Sequence, residues 1–365
     1  MKKLLAVILA LAMVLSLAAC GSEPAKTTEA PAQSTAAPQT QPAGSTAAPE
    51  STAAPAAEWP KGNIEIIVPF KAGGAMDLSA RLTATYLKKY LGVEVTVNNV
   101  EGGANWVGYH QILSAKGDGY TLGFANYPGQ VGGYLDPSKK ESVKGVTYRD
   151  FTNIANIVHD PGIIVVKEDS PYQTLQDLLD AAKSGTKLTI STGGGAGSDD
   201  DVLVRLINSK LGIDTLIPGG NENDAEAKTV LLNGEADARA CNLSNYYKTY
   251  KQTGQADSVR VLALFDADKQ ELMPDVPLID DLGIEELKGL YSSSDRGLVA
   301  CKDLDPAVLA IIVDALKKTM EDPDFMKDAA DQGMGIHMLF GDDFTAYIDS
   351  VESTLKSMAK DFGWE

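Results

Sequence analysis

Hydrophobic residues along this chain fall into three zones that differ in their spacing. Residues 4–17 form one apolar run behind a lysine-containing start, and residues 21–58 hold almost no large apolar side chain. From residue 59 onward, short β-branched runs alternate with stretches whose apolar residues recur at helical spacing. The pattern predicts a short apolar segment, a polar stretch and then a folded α/β body.

The first zone is typical of an export signal. Its apolar core is shorter than the roughly 20 residues of a membrane-spanning helix, and small residues precede Cys20. The order Leu-Ala-Ala-Cys resembles a bacterial lipobox. That resemblance implies that residues 1–19 are a lipoprotein signal peptide and that Cys20 becomes the lipid-modified first residue. An ordinary secretory signal with an incidental cysteine is the alternative.

The second zone, residues 20–58, consists mainly of Ala, Pro, Ser, Thr, Gln and Glu. The sequence Ser-Thr-Ala-Ala-Pro begins three times, at Ser34, Ser45 and Ser51. Such a segment cannot bury enough apolar surface to offset the entropy lost on ordering. We therefore predict a disordered tether between Cys20 and the folded body.

The third zone alternates strands with helices. Apolar spacing predicts strands at residues 64–68, 93–97, 120–125, 163–166, 188–191, 236–240 and 259–265. Helices are predicted at residues 78–90, 106–114, 175–182, 202–211, 225–232, 308–320, 325–332 and 344–358. This alternation favours mostly parallel sheets covered by helices, and ligands of such sheets collect beyond the carboxyl ends of the strands.

Glycine-rich turns follow three of the strands and precede helices. They are the segments at residues 70–77, 192–198 and 218–221. Backbone amides at such a helix start can approach an anion, whereas ordinary glycine punctuation with a helix cap is the alternative for each turn. None of the turns has the lysine of a phosphate loop or a complete dinucleotide fingerprint, which disfavours a nucleotide ligand.

Composition and charge exclude other classes. The chain has 365 residues, with 32 Lys and Arg against 50 Asp and Glu, for a net charge of −18. A basic surface for nucleic acid is therefore not expected. The three His and three Cys show neither metal-ligand spacing nor a CxxC pair, so we expect no metal and no cofactor.

Six segments of the body resemble, in order, the solute receptors of tripartite tricarboxylate transporters, the TctC or Bug family. They lie at residues 66–81, 98–105, 117–122, 195–198, 232–237 and 261–277. The resemblance implies a two-lobed type II periplasmic-binding-protein fold, with mixed sheets flanked by helices and a ligand cleft between the lobes. It also implies that residues 59–165 with 261–365 form lobe 1 and that residues 166–260 form lobe 2.

The resemblance further implies a site in which loop backbone and bridging water hold a ligand carboxylate. Its candidate residues are Phe70, Gly73, Gly74, Asp77, Asn105 and Asn126 on one side and Gly195, Gly197, Ser198 and Asn242 on the other. Asp77 either caps its helix or orders the ligand loop, and Ser198 has helix capping as its alternative role.

The chain departs from the family pattern at Asp201, where many relatives carry His. Together with Asp199 and Asp200 it forms a run of three acids. The simplest explanation is that these acids lie at the start of a helix, where negative charges interact favourably with the helix dipole. If one of them faces the cleft, it would repel a polycarboxylate and favour a ligand with an amino or other donor group. Cys241 and Cys301 are predicted to be buried thiols, with a disulfide between them as the alternative.

The sequence therefore predicts an extracytoplasmic solute-binding lipoprotein, anchored to the membrane through Cys20. It would deliver a small organic carboxylate or an amino acid to integral membrane permease subunits. The alternatives are a ligand-sensing subunit of a membrane signalling system and, less favoured, a secreted enzyme. Enzyme activity is not expected, because His110, His159 and His337 have no recognisable nucleophile partner and no Gly-x-Ser-x-Gly elbow occurs.

Overall fold

A computed structural model describes residues 58–195, 197–360 and 362–365. The predicted signal peptide, Cys20 and the tether up to residue 57 lie outside the described residues. Within the described part, no helix combines the length and the hydropathy needed to cross a membrane.

The strands of the described body agree with most of the predicted ones. In chain order they are β1 Ile64–Val68, β2 Val95–Asn99, β3 Thr121–Tyr127, β4 Phe151–Val158, β5 Gly162–Lys167, β6 Leu188–Thr192, β7 Leu216–Pro218, β8 Ala238–Asn242, β9 Val259–Phe265, β10 Asp295–Cys301 and β11 Ile336–Phe340. Sequence analysis missed β4, β7, β10 and β11. In β4 and β10, Asn, Asp or Arg interrupts the apolar run.

The helices lie between the strands. They are α1 Ala75–Leu91, α2 Trp106–Leu113, α3 Gly129–Leu135, α4 Lys140–Val143, α5 Leu175–Lys183, α6 Asp199–Leu211, α7 Asp224–Leu232, α8 Leu243–Tyr246, α9 Pro306–Met320, α10 Pro323–Asp331 and α11 Gly341–Ser357. A π-helical turn, Tyr247–Lys251, continues α8. Several helices start at side-chain caps, among them Thr174 before α5 and Asp305 before α9.

Two mixed sheets form the framework. The six-stranded sheet has the order β11-β4-β10-β3-β1-β2, and the five-stranded sheet has the order β7-β6-β8-β5-β9. Parallel pairing joins β1 to β2 and β3, and β6 to β7 and β8. The other strand pairs are antiparallel, including β10 with β3 and β5 with β8. The expectation of mostly parallel sheets was therefore wrong, because the strands on either side of the two chain crossings, β4, β5, β9 and β10, pair antiparallel with their neighbours.

Each sheet with its helices is called a lobe below, lobe 1 for the six-stranded sheet and lobe 2 for the five-stranded one. The expected lobe limits at 165/166 and 260/261 fall within β5 and β9. Both strands pair only within the five-stranded sheet, where Gly162 lies opposite Asn242 on one side and Phe265 on the other. The chain therefore crosses between the sheets at residues 159–161 and returns through residues 266–294.

The hydrophobic core connects the lobes. One buried cluster contains Tyr127 and Val299 of lobe 1 together with Ile190 and Leu203 of lobe 2. A second cluster lies within lobe 1 around β1, α1 and α9, and a third lies within lobe 2 around β5, β8 and β9. The shared cluster means that the two lobes pack directly on each other.

The two crossing segments are bound to each other. Gly162 N donates to Ser292 O at 2.7 Å, and Ser294 N donates to Asp160 O at 2.8 Å. His159 lies between two carboxylates, with Nδ1 at 2.8 Å from Asp295 Oδ1 and Nε2 at 3.3 Å from Asp266 Oδ1. Burial opposes the charge of His159, but these carboxylates outweigh it and raise the pKa of His159 to about 10. His159 is therefore a cation that joins the outgoing and returning segments.

This cation makes stability depend on pH. The unfolded pKa is roughly 6.5, so the stabilisation from His159 is complete below that pH and is lost as pH rises through about 10. We expect His159→Gln to lower the free energy of unfolding by about 3 kcal/mol near neutral pH. The difference from wild type should shrink towards pH 10, as measured by urea unfolding at a series of pH values.

His110→Gln is the matched control, because the ring of His110 contacts only a backbone carbonyl, that of Ser142, among its described hydrogen-bond partners. We expect it to lower the free energy of unfolding by about 1 kcal/mol, the size of one hydrogen bond. A constant difference between wild type and His159→Gln over this pH range would contradict the assigned charge.

Candidate functional site

The candidate site lies where helix starts of the two lobes meet the crossing segments. In lobe 1, the turns before α1 and α2 follow the carboxyl ends of the parallel strands β1 and β2. In lobe 2, the turn before α6 follows β6 and the start of α8 follows β8. Carboxyl ends of parallel strands share one edge of a sheet, so each lobe brings its own turns together.

The first glycine turn is held by a carboxylate and an arginine. Gly73 N donates to Asp77 Oδ2 at 2.8 Å, and Arg81 Nε donates to the same oxygen at 3.0 Å. Asp77 is only 2% exposed. Burial opposes ionisation, yet the bonds from Arg81 and Gly73 outweigh it and lower the pKa of Asp77. Asp77 thus orders the loop, one of the two roles considered for it.

The second glycine turn repeats this arrangement in the other lobe. Gly197 N donates to Asp201 Oδ2 at 2.8 Å, and Arg205 Nε donates to it at 2.9 Å. Asp201 is also 2% exposed. Both lobes therefore carry the pattern Gly-x-x-x-Asp-x-x-x-Arg, which the sequence contained and sequence analysis overlooked. We call each such unit a braced glycine turn.

The hydrogen bonds of the braced glycine turns leave only some backbone amides of these turns without an acceptor. Gly73 N and Gly197 N are engaged by their carboxylates, and Gly195 N donates to Asn221 O at 2.9 Å. Ser198 caps α6 by accepting from Asp201 N at 3.3 Å. By contrast, Gly74 before α1 and Asn105 before α2 make no side-chain cap. In α2, however, Trp106 N and Val107 N donate to the backbone carbonyls of Gly103 and Gly102. The first-turn amides of α1 are therefore the uncapped helix donors at this edge.

Phe70 lies in the turn before α1, and Asn105 lies directly before α2. Phe70 is half-buried against the lobe 1 core, and its carbonyl accepts from Asn99 Nδ2 at 3.0 Å. Asn105 is half-buried and has a φ of 77°, a left-handed conformation that asparagine tolerates better than most residues. The backbone therefore bends sharply in the turn before α2.

Asn126 and Asn242 lie deeper, against the crossing segments. Asn126 Nδ2 donates to Ser294 Oγ at 2.8 Å, and Asn242 Nδ2 donates to Asp160 O at 3.0 Å. Their exposures are 8% and 2%. Both side chains therefore bind the segments that join the lobes.

A buried ion pair that sequence analysis did not predict connects these parts. Arg296 Nη2 bonds Asp160 Oδ2, with side-chain exposures of 2% and 0%. Asp160 Oδ1 also accepts from Ser244 N at 2.8 Å, and Arg296 Nη1 lies 3.5 Å from Ser79 Oγ on α1. The pair therefore joins α1 of lobe 1 to α8 of lobe 2 through the crossing segment.

The three acids at the start of α6 have three different environments. Asp201 belongs to the braced turn, and Asp200 is 5% exposed and accepts from Gly193 N at 3.0 Å. Asp199 is half-buried. Burial raises the pKa of Asp199, and burial together with the neighbouring Asp199 raises that of Asp200. The run of three acids is therefore not a uniform exposed helix start, because two of its carboxylates are buried and bonded to glycine amides.

Lobe 2 also touches the first glycine turn directly. Lys248 Nζ, in the π-helical turn, donates to Gly73 O at 3.0 Å. Nearby, Gln252 Nε2 donates to Asp331 O at 3.3 Å. These contacts join the mouths of the two lobes and are candidates for bonds that change when the lobes move.

A cavity of about 870 Å³ lies elsewhere, beside the His159 cluster. Its lining includes Asp266 and Asp295, Leu206 of α6 and Val351 of α11. None of the ten predicted ligand-binding residues lines it. This cavity is therefore separate from the predicted ligand-binding residues of the glycine turns.

The described residues offer no cluster of three or more His, Cys, Asp or Glu suited to a metal ion. Cys241 and Cys301 are both buried and free, so the disulfide considered between them is absent from this described part of the chain. Burial raises the pKa of both thiols. They are structural side chains of β8 and β10.

The family model described as the tripartite tricarboxylate transporter family receptor, TctC, matches residues 79–363. The chain belongs to this receptor family. The UPF0065 protein in the TAR-I ttuE-ttuC' intergenic region of Agrobacterium vitis is 30% identical to this receptor over 270 residues, which are 73% of each chain. Protein BugT of Bordetella pertussis is 25% identical over 281 residues, covering 76% of this chain and 82% of BugT.

Solved structures agree on the fold. A TctC solute-binding protein from Polaromonas superposes on the receptor with a TM-score of 0.68 at 24% identity, covering 83% of this chain and 99% of the other. A protein from R. palustris solved with adipate gives a TM-score of 0.68 at 20% identity, covering 84% and 99%. The expected family and the two-lobed binding-protein fold are confirmed. Members of this family are extracytoplasmic solute-binding receptors, and the chain is one of them.

The brace of the first turn can be tested by removing its carboxylate. We expect Asp77→Ala to lower the free energy of unfolding by about 2 kcal/mol, because it removes buried hydrogen bonds to a charged acceptor. Amide hydrogen exchange in a peptide covering residues 69–77 should also become faster, as measured by mass spectrometry.

Asp314→Ala is the matched control, since Asp314 also pairs with a cation four residues later, Lys318, but on an exposed helix face. We expect a change within about 0.5 kcal/mol for it. Equal effects of the two substitutions, with unchanged exchange in the glycine turn, would show that the brace does not hold the turn.

Proposed function

We propose that this receptor captures a small organic carboxylate between its lobes and delivers it to the membrane subunits of a tripartite permease. The observation that carries the proposal is the pair of braced glycine turns, one in each lobe, at the strand ends where α/β proteins bind ligands. The adipate in the R. palustris structure supports a carboxylate as the ligand class.

The proposed contacts follow from the amides that the braces leave available. The carboxylate lies against the uncapped start of α1 at Gly74, where the helix dipole favours a negative charge, and Asn105 before α2 contributes its side chain. Phe70 borders it on the apolar side. Gly73, Asp77, Gly197 and Ser198 shape the turns, whereas Gly195, Asn126 and Asn242 complete the polar surroundings.

Ligand capture in this proposal is coupled to lobe closure. A ligand that contacts both braced turns favours the closed arrangement over the open one, because it gains contacts from both lobes only when they are together. The Lys248 bond to Gly73 O adds to that closed arrangement. The permease would then recognise the closed receptor.

A calorimetric screen of mono- and dicarboxylates tests the binding. We expect one compound to bind at a one-to-one ratio with micromolar or tighter affinity and to raise the melting temperature. Native mass spectrometry of copurified ligand directs the choice of compounds. If no carboxylate gives heat or thermal stabilisation at millimolar concentration, the proposed function is wrong.

Closure can be tested at Lys248. We expect Lys248→Met to weaken binding of that carboxylate by about 3- to 10-fold, the size of one partly exposed hydrogen bond. Lys251→Met, in the same turn but packed on the Tyr247 ring, is the control and should bind as wild type does. Equal affinities of wild type and Lys248→Met would remove this bond from the closing mechanism.

We further propose that the receptor is a lipoprotein held by Cys20, as its lipobox-like sequence suggests. Two acyl chains are enough for stable membrane attachment. In a bacterial host, wild type should sediment with membranes, and Cys20→Ser should not. Ser22→Ala is the control that keeps the cysteine. Identical distribution of Cys20→Ser and wild type would exclude attachment through Cys20.

A further inference from the structure

The proposed function leaves the cavity of about 870 Å³ beside His159 without a role. Its volume lies within the range of roughly 300–1,000 Å³ that is common for small-molecule sites. Both lobes line it, because Leu206 lies on α6 of lobe 2 and Val351 lies on α11 of lobe 1. A molecule bound in this cavity therefore contacts both lobes.

The cavity is a compartment separate from the braced glycine turns. Successive side chains of a strand point to opposite faces. In β10, Asp295 lines the cavity, whereas the next residue, Arg296, approaches Ser79 of α1 on the side of the glycine turns. In the same way, His159 lines the cavity, and the next residue, Asp160, pairs with Arg296. A ligand in the cavity therefore lies across the crossing segments from a ligand at the glycine turns.

Five bonded side chains, which we call the polar floor, line one part of the cavity: His159, Asp266, Ser293, Asp295 and Tyr347. The two ring nitrogens of His159 lie 2.8 Å from Asp295 Oδ1 and 3.3 Å from Asp266 Oδ1. The hydroxyls of Ser293 and Tyr347 donate to Asp295 Oδ2. The side-chain donors of the floor are thus engaged, and lone pairs on its hydroxyls and carboxylates remain. A ligand group that donates hydrogen bonds therefore fits this floor better than an anion does.

The charge of the lining favours a cation as well. The polar floor holds one histidine cation against two carboxylates. The exposed part of the lining adds two lysines and two acids, whose charges balance, namely Lys210, Lys269, Asp268 and Glu271. At pH 8, where exposed histidines are neutral, the lining thus carries one surplus negative charge. A single positive charge on a ligand complements it.

The remaining walls of the cavity are largely apolar. They include Val202 and Leu206 of α6 and Leu355 of α11. Tyr291 and Met326 also line the cavity, although they are 46% and 43% exposed. Exposed apolar side chains around a concave site are typical of a ligand-binding surface. The lining therefore suits a ligand with an apolar body beside its donor group.

We propose that this cavity is a second ligand site of the receptor, for an organic monocation with an apolar body and a primary ammonium group. The ammonium group donates to the hydroxyl and carboxylate oxygens of the polar floor, and its three N–H bonds match several acceptors there. The apolar body packs against α6 and α11. This site is independent of carboxylate binding at the glycine turns, so its test does not depend on the proposed function.

Two sets of probes that share one apolar body test the ligand class, by calorimetry on the wild-type receptor at pH 8. One set is hexylammonium, 1-hexanol and heptanoate, and the other is 2-phenylethylammonium, 2-phenylethanol and 3-phenylpropanoate. We expect the ammonium member of at least one set to bind at least 10-fold more tightly than the alcohol. The carboxylate member should not bind in the cavity.

Amide hydrogen exchange shows where the ammonium probe binds and needs no variant. The probe should slow exchange in peptides covering residues 266–272 and 347–355 and leave residues 69–77 unchanged. Thr354→Trp should weaken its binding at least 10-fold, because Thr354 is an exposed lining residue and a bulky side chain there fills part of the cavity. Ile217→Trp is the matched control, since it also introduces Trp at an exposed position, but on β7 of lobe 2 and away from the described lining of the cavity.

Three results would overturn the inference. The first is an alcohol or a carboxylate that slows exchange in the cavity peptides and binds as tightly as the ammonium member of its set. The second is ammonium binding that leaves both cavity peptides unprotected or is equally tight in a folded Thr354→Trp variant. The third is the absence of binding by both ammonium probes at millimolar concentration. A carboxylate that slows exchange only in residues 69–77 would support two separate sites.

Discussion

The buried ion pair between Arg296 and Asp160 is the interaction on which the arrangement of the lobes depends. Arg296 lies on the central strand β10 of lobe 1, and Asp160 lies where the chain crosses into lobe 2. Burying two charges is costly, and the pair offsets that cost only while its geometry and its additional donors from Ser244 are maintained. A movement of one lobe against the other must either keep this ion pair intact or break it.

His159, next to Asp160 in the chain, is a second charge at the crossing that is held by charges of opposite sign. Its two carboxylate partners come from the ends of the returning segment, at Asp266 and Asp295. Together with the backbone bonds between residues 160–162 and 292–294, these charges fix the crossing laterally. The two crossing segments are therefore held together where the chain passes between the lobes.

The acidity of the receptor bears on how it recognises an anionic group. Residues 1–58 hold three of the 32 basic and four of the 50 acidic residues, which leaves the folded body with a net charge of −17. Attraction by the overall field cannot favour a carboxylate under these conditions. In the proposed function, recognition of the carboxylate is therefore local, through the helix-start amides of α1.

The sequence alone determined the alternation of strands and helices, the family and the glycine turns, because apolar periodicity and local turn chemistry act over a few residues. β1 was predicted with its observed limits, and β9 as well. The Asp and Arg of each brace are also local, four residues apart, and a search for repeated spacing would have found them. By contrast, β10 begins with Asp295 and Arg296, charges that resemble a loop until their partners are known. Only the tertiary structure decided that these charges are buried and that His159 is a cation, since each depends on residues far away in the chain.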